Sequence, residues 1–320
     1  MIVRWGPLAL VGEVCDELGI EAPVLVASPR WDELELPFTP AARWSEVPSV
    51  RVEEAADLAR DGVVAIGGGS AIDLGKAISA AARVPLVSVP TTYAGAEWTT
   101  FFGVRDPQRR MRGGGSGARL GGVVYDVGLS VGLPRAETVG TAMNALAHCA
   151  EALYAHGHNP ETDETALEGA QLISQYLPRV VESPGDRDLR TELLRGACHG
   201  GEALAGSMLA LAHAMAQAIG GKYGLPHGTL NGICLPPVLR YNARYAPAAV
   251  RAFGEAVGGD GAVRVEELTA LGGISRLSRL SVPEADLPEL AASAAQRSGN
   301  QANPHPATPQ EIEQLLRSVY

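Results

Sequence analysis

No run of apolar residues in this 320-residue chain approaches the roughly 20 needed to cross a bilayer, which excludes a membrane-spanning helix from the expectations. The opening stretch MIVRWGPLALVGEVCDELGI has one early arginine, but acidic residues interrupt it before any small-residue cleavage site, so it is not expected to be a signal peptide. Cysteine is scarce. Cys15, Cys149, Cys198 and Cys234 are widely scattered and form no CxxC pair, so a disulfide scaffold is not expected and a reducing cytoplasm is the simplest home. Positive charge is also in deficit: 26 Lys and Arg against 36 Asp and Glu give a net charge of −10 and argue against nucleic acid or an anionic membrane surface as partner. The sequence has no internal repeat with a period of roughly 20–50 residues. Its glycine-rich turn is not GxGxxG, so the general dinucleotide fingerprint does not apply.

What is present is an ordinary globular composition, 46% apolar and 19% charged, in a chain long enough for two domains with separate cores. The first third alternates strand and helix signals. VLVASP (24–29) has the character of a buried parallel strand, and SVRVEEAADLARD (49–61) that of a helix that Ser49 could cap. GVVAIGGGS is a strand running into glycines, AIDLGKAISAAA a helix, and VPLVSV (84–89) another buried strand ending at Pro90-Thr91-Thr92. Strand–helix–strand with short links predicts a parallel α/β sheet. RRMRGGGSGARLGG (109–122) is too poor in apolar residues to be core and predicts a hairpin or mobile loop, followed by one more strand in VVYDVGLSVGLP. From Arg135 onward the periodicity is helical, with breaks expected at 157–160, 183–186, 226–228 and at Pro236-Pro237. The expected domains are residues 1–134 and 135–320, with a cleft between them.

Gly67, Gly68, Gly69 and Ser70 lie between a strand and a helix. Glycines admit a ligand close to the backbone, and a helix N-terminus presents N–H groups to an anion, so a dinucleotide pyrophosphate is the expected ligand. A tight turn that merely contains glycine is the bland alternative. Ser70 could cap the helix. Asp73, one turn in, could contact the cofactor or simply favour the positive helix end. Thr91, Thr92 and Tyr93 follow a strand's C-terminal end, the edge that faces the ligand crevice in open α/β sheets. Tyr93 is a candidate substrate contact or proton donor, with a packing aromatic as the even alternative. After the second strand stand Ser28 and Arg30 but no acid for a ribose 2′-hydroxyl. Arg30 could accept a 2′-phosphate or be an ordinary surface residue, so NAD and NADP both remain open.

In the second half, Asn144 and His148 of MNALAH are four apart and share a helix face. His213 sits in LALAHAMAQ, and His227 follows a proline at what reads as a turn in GLPHG. Three imidazoles suit a first-row divalent ion, but Asn144 is neutral where a carboxylate would complete the set. His156 and His158 have a surface character, His199 has no motif, and Glu97 is given no catalytic role.

With GGGSAIDLGKAIS, VPTTYAGAEWT, GTAMNALAHCAEALYA and GLPHG in that order, the chain resembles the iron-containing alcohol dehydrogenase superfamily, and within it the maleylacetate reductase subgroup. The resemblance spans about residues 62–242. It implies an α/β plus all-α chain: an N-terminal Rossmann-like parallel sheet domain that binds the dinucleotide and a C-terminal helical domain, with the active site in the cleft. It implies that Gly67 to Ser70 hold the pyrophosphate and that Thr91 and Thr92 lie along the cofactor. Metal-dependent members use an Asp and three His, matched here by Asn144, His148, His213 and His227; the similar subgroup carries Asn and is regarded as able to work without a tightly bound metal. Where many relatives have a further His four residues after the position of His213, this chain has Gln217, which cannot exchange a proton near neutral pH.

The expected chemistry is hydride transfer from NAD(P)H to a small, carboxylate-bearing carbonyl or enoyl substrate, with His148, His213 and His227 stabilising charge on its oxygen. The alternatives are an iron- or zinc-dependent dehydrogenase of another substrate, a non-redox lyase of the dehydroquinate-synthase kind, and a catalytically impaired accessory protein. Lys76 and Lys222 are the only lysines near the motifs, which counts against a phosphate-binding lyase. A homodimer is a weak expectation from the same resemblance.

Overall fold

The structure is a computed structural model that describes residues 1–320. It divides into two compact units, one formed by 1–92 and 96–132, the other by 93–95 and 133–320.

The first unit is built on β1 (Ile2–Trp5), β2 (Val24–Val26), β3 (Ala42–Trp44), β4 (Val63–Gly67), β5 (Pro85–Pro90) and β8 (Arg119–Tyr125), all parallel in the order β1-β8-β5-β4-β2-β3. Helices α1 (Leu10–Leu18), α2 (Val52–Ala56) and α3 (Gly69–Ala82) lie between the strands in sequence. Strands buried on both faces read as unbroken apolar runs, and the two sides of VVAI show it. Val64 and Ile66 join one core cluster with Val11 and Val14 of α1, while Val63 and Ala65 join another with Leu74 and Ile78 of α3. Each such fully buried Val or Ile contributes about 1.5–3 kcal/mol. Gly75 of α3 lets that helix sit directly on β4, since a Cβ there would stand 2.7 Å from the Cβ of Ala65.

Several local expectations change. The segment 49–61 is helical only over α2, because the chain turns to bring the Asp61 carboxylate to the N–H groups of Glu21 and Ala22, at 2.7 and 2.9 Å. Ser49 does not cap that helix; its hydroxyl donates to Glu46 and accepts from the N–H of Arg51. The glycine- and arginine-rich stretch divides in two. Met111–Gly115 (β7) pairs antiparallel with Phe102–Arg105 (β6) as a hairpin, and Arg119–Gly122 begins β8 of the main sheet.

The second unit is helical: α4 (Arg135–Ala152), α5 (Pro160–Glu182), α6 (Arg187–Ala205), α7 (Leu211–Tyr223), α8 (His227–Asn242), α9 (Pro247–Val257), α10 (Gly261–Ala270), α11 (Leu287–Ala295), α12 (Ser298–Gln301) and α13 (Pro309–Ser318). No helix is long and apolar enough to cross a membrane. α4 is buried almost throughout. Pro236 and Pro237 do not break the chain but lie inside α8. Pro236 cannot donate to the carbonyl of Gly232, and the Thr269 hydroxyl of α10 lies 3.1 Å from that oxygen, sharing its one proton between it and the Val265 carbonyl at 2.7 Å. Residues 93–95 also pack in this unit, although they continue directly from β5: the N–H of Tyr93 donates to Thr141 Oγ1 and the carbonyl of Ala94 accepts from Asn144.

Candidate active site

The glycine turn and the threonine pair come together in the first unit. Gly67 ends β4 with φ +153, and its carbonyl accepts from the N–H of Thr91 at 3.0 Å. A Cβ on Gly68 would stand 2.8 Å from Thr92 Cγ2, so the turn and the end of β5 leave no room for a side chain there. Gly68 is the N-cap of α3 and offers no side-chain acceptor, and Ser70 lies inside the helix rather than capping it. The helix therefore starts without a side-chain acceptor on its first N–H groups, which suits an anion. The Asp73 carboxylate is engaged within the unit: Oδ1 pairs with Lys76 Nζ at 2.9 Å and Oδ2 accepts from the N–H of Gly103, tying the helix to the hairpin. Arg105 of that hairpin lines a small cavity with Ser70, and burial pushes its guanidinium pKa down. Sequence reading passed over Arg105 because it sits in a loop-like segment. We expect Gly68→Ala to weaken NAD(P)H binding by tenfold or more, because Thr92 must move for the added methyl; titration of cofactor fluorescence checks this.

Ser28 is half-buried at the end of β2, where its carbonyl accepts from Arg43, and Arg43 pairs with Asp32 at 2.7 Å. Arg30 donates to the carbonyl of Gly132 at 3.2 Å and lies over the Trp31 ring.

The four residues of the second constellation also converge. The rings of His148 and His213 stack with centroids 4.9 Å apart and 16° between planes, and His227 follows at 5.5 Å from His213. His227 is not in a turn but opens α8. It is brought to α4 by an unusually close helix contact: a Cβ on Gly228 would lie 1.9 Å from the carbonyl oxygen of Gly140. Asn144 donates through Nδ2 to the carbonyl of Ala94 at 2.8 Å, with the same nitrogen 3.3 Å from His148 Nε2. Its Oδ1 accepts from Asn231 Nδ2 at 2.6 Å, and that nitrogen is 3.2 Å from His227 Nε2. The Ala94 carbonyl can only accept, so the amide orientation follows from the network. Asn231 was not signalled by any motif, although it stands one turn after His227.

Glu151 is the other residue the motifs missed. It is fully buried on α4 and accepts from the N–H groups of Ala210, Ala212 and His213 at 2.6, 2.7 and 3.2 Å, and from His213 Nδ1 at 2.7 Å. It thus caps α7 from another helix and takes the Nδ1 proton of His213 in a hydrogen bond. Nε2 of His213 and Oδ1 of Asn231 are buried acceptors with no donor in the protein, so the site presents oxygen- and nitrogen-centred lone pairs to whatever enters it.

Three imidazole nitrogens suit an iron-type ion, but the full donor set does not. No group of three or more His, Cys, Asp or Glu side chains is disposed to hold a metal. Asn144 brings no negative charge, and its oxygen is held by Asn231.

Tyr93 is not placed for the substrate role expected of it. It is fully buried, and its hydroxyl accepts from Arg190 Nη1 at 2.9 Å inside the helical unit. Gln217 is half-buried on α7, one turn after His213. Glu97 is buried in the first unit, accepting from the Tyr125 hydroxyl at 2.8 Å, and burial pushes its carboxyl pKa up. His156 and His158 are exposed, and His199 faces Glu168 and Glu202 near the surface.

A parallel sheet carrying a bare glycine turn, in a chain whose second unit is helical and carries clustered imidazoles, defines a dinucleotide-dependent oxidoreductase. The family models agree: residues 1–117 match iron-containing alcohol dehydrogenase, and residues 138–320 match the C-terminal part of the Fe-containing alcohol dehydrogenase family. The chain belongs to the iron-containing alcohol dehydrogenase family. Maleylacetate reductase of Burkholderia cepacia is 37% identical over 269 residues, covering 83% of this chain and 76% of that protein. Maleylacetate reductase 1 of Rhodococcus opacus is 35% identical over 313 residues, covering 96% and 85%. The crystal structure of maleylacetate reductase from Rhizobium sp. strain MTP-10005 superimposes with a TM-score of 0.89 at 29% identity, covering all of this chain and 95% of that one. The protein is an NAD(P)-dependent oxidoreductase acting on a small molecule, in a family whose metal-using members take an iron-type ion.

Proposed function

We propose that the chain is a reductase of the maleylacetate type, reducing a small carboxylate-bearing enoyl or carbonyl compound with NADH or NADPH. The observation that supports this best is the amide at Asn144, wired into the imidazole cluster where a metal-binding relative would present an acid. In this reading Gly67, Gly68, Gly69 and Ser70 hold the pyrophosphate and Thr91 and Thr92 line the cofactor, with Ser28 toward its adenosine end. The hydride leaves nicotinamide C4 for the substrate carbon. His148, His213 and His227 surround the substrate oxygen; negative charge developing there is met by an imidazole in its donor form, which takes up a proton from solvent and passes it on to complete the reduction. No step passes through a metal. His148, His213 and His227, with Asn144, are the residues that a divalent ion would have to use.

Lys76 and Lys222 support redox chemistry over the lyase alternative. Lys76 is buried and donates to the carbonyls of Ala96 and Phe101, and Lys222 is paired with Asp286 and Glu289. Neither is free to bind a substrate phosphate.

The test is oxidation of NADH or NADPH by the purified protein with maleylacetate and, separately, with simple aldehydes. Maleylacetate-dependent turnover is the expected result; absence of both turnover and dinucleotide binding overturns the reading. We expect turnover to survive dialysis against a chelator, with no stoichiometric iron or zinc in the active protein; activity lost on dialysis and restored by iron would favour the metal-dependent dehydrogenase. Asn144→Asp is expected to place a carboxylate 2.8 Å from the Ala94 carbonyl, destabilising the metal-free protein by about 1–3 kcal/mol while raising its affinity for Zn2+. Thermal melts with and without zinc check both effects. We further propose a cytoplasmic homodimer, which light scattering of the purified protein would test.

A further inference from the structure

The helical unit holds a second cavity, of about 600 Å3, between α8, α10 and α13. Sites for small organic ligands span roughly 300–1,000 Å3. One stripe of α8 lines it, from Gly232 through Pro236 and Pro237 to Tyr241 and Arg244. Its apolar wall is made of the two prolines with Leu315 and Val319 of the C-terminal segment.

Its polar groups are unusual for a protein of net charge −10. Three arginines line the cavity against two acids, and both acids already have partners. Glu266 pairs with Arg240 at 2.7 Å, and Glu311 accepts from the N–H and hydroxyl of Thr308. Arg244 is exposed and enters no ion pair, while Arg276 uses one nitrogen on the carbonyl of Ser318 and keeps its remaining donors. Tyr241 is only 8% exposed, and burial, with Glu311 and Tyr245 beside its hydroxyl, pushes its pKa up. Guanidinium groups match planar carboxylates in a bidentate way, and a wall of prolines suits a flat apolar body.

We propose that this cavity is a second ligand site, separate from the imidazole cluster, for a small organic carboxylate with a flat apolar body. Arg244 and Arg276 take the carboxylate, and Pro236, Pro237, Leu315 and Val319 cover the body. Benzoate is the probe, with inorganic phosphate as the anion that lacks an apolar body, both titrated calorimetrically into the full-length protein. The expected result is saturable binding of benzoate at one site and much weaker binding of phosphate. Arg244→Ala with Arg276→Ala should weaken benzoate binding at least tenfold, with unchanged melting curves. If the double variant does not fold, Arg244→Ala alone, an exposed position, carries the test and should show at least a threefold loss. No saturable benzoate binding, equal binding of phosphate, or full affinity in these variants overturns the proposal.

Discussion

Alanine at Gly228 is expected to abolish most activity while changing nothing in the chemistry of the side chains. The added Cβ would stand 1.9 Å from the carbonyl oxygen of Gly140 and 2.5 Å from its carbon, and neither backbone atom can rotate away. α4 and α8 would have to part by about an ångström, carrying His227 and Asn231 away from Asn144. A displacement of about that size at a reacting group costs on the order of a hundredfold in rate. Overpacking at a buried contact costs about 1–3 kcal/mol, so the melting temperature should fall by several degrees as well. Gly185→Ala is the control, because no atom lies within 4 Å of a Cβ there and its φ is ordinary. Equal activity in the two variants would mean that the approach of α8 to α4 does not set the position of His227.

Glu151→Gln is the second change with a large expected effect. Four donors converge on this carboxylate: three backbone N–H groups and Nδ1 of His213. A carboxamide keeps one acceptor oxygen and turns an NH2 group toward donors, so at least one of them is left unsatisfied in the interior. Each such loss costs about 1–3 kcal/mol, and His213 is released from the tautomer that leaves Nε2 open. We expect kcat to fall at least tenfold with cofactor binding little changed, and the nitrogen-15 signals of His213 to report a mixture of tautomers. A purely structural role for Glu151 would lower stability and leave the tautomer of His213 as it was.

The residues that were legible in the sequence are those whose partners are close along the chain. GGGS between an apolar strand and a helix announces its own geometry, because a strand, a turn and a helix are local structures. Asn144 and His148 share a turn of α4, so their common face follows from spacing alone. Glu151 was hidden for the opposite reason: it acts on His213, 62 residues away. The clue was an absence. α7 begins at Ala210 and Leu211 without Ser, Thr, Asp or Asn to cap it, so its first N–H groups had to find an acceptor elsewhere, and an acid three residues after His148 was on the right face.

Two readings failed through tertiary context. Pro236-Pro237 reads as a helix end, yet the Thr269 hydroxyl of α10 reaches the carbonyl that Pro236 cannot serve, sharing its proton with Val265, and no local pattern contains that residue. Tyr93 follows the threonine pair in sequence, which suggested a shared role. The backbone of residues 93–95 instead packs on α4, and Arg190 of α6 takes the phenol into the interior. Adjacency in sequence ends at Thr92, where the chain leaves the sheet unit.

The measurement that tests the account most directly is NAD(P)H oxidation by chelator-dialysed protein, with maleylacetate and with a simple aldehyde as competing acceptors. The account predicts turnover with maleylacetate, unaffected by added iron or zinc, and little or none with the aldehyde. Turnover that appears only with added metal, or that favours the aldehyde, would contradict it.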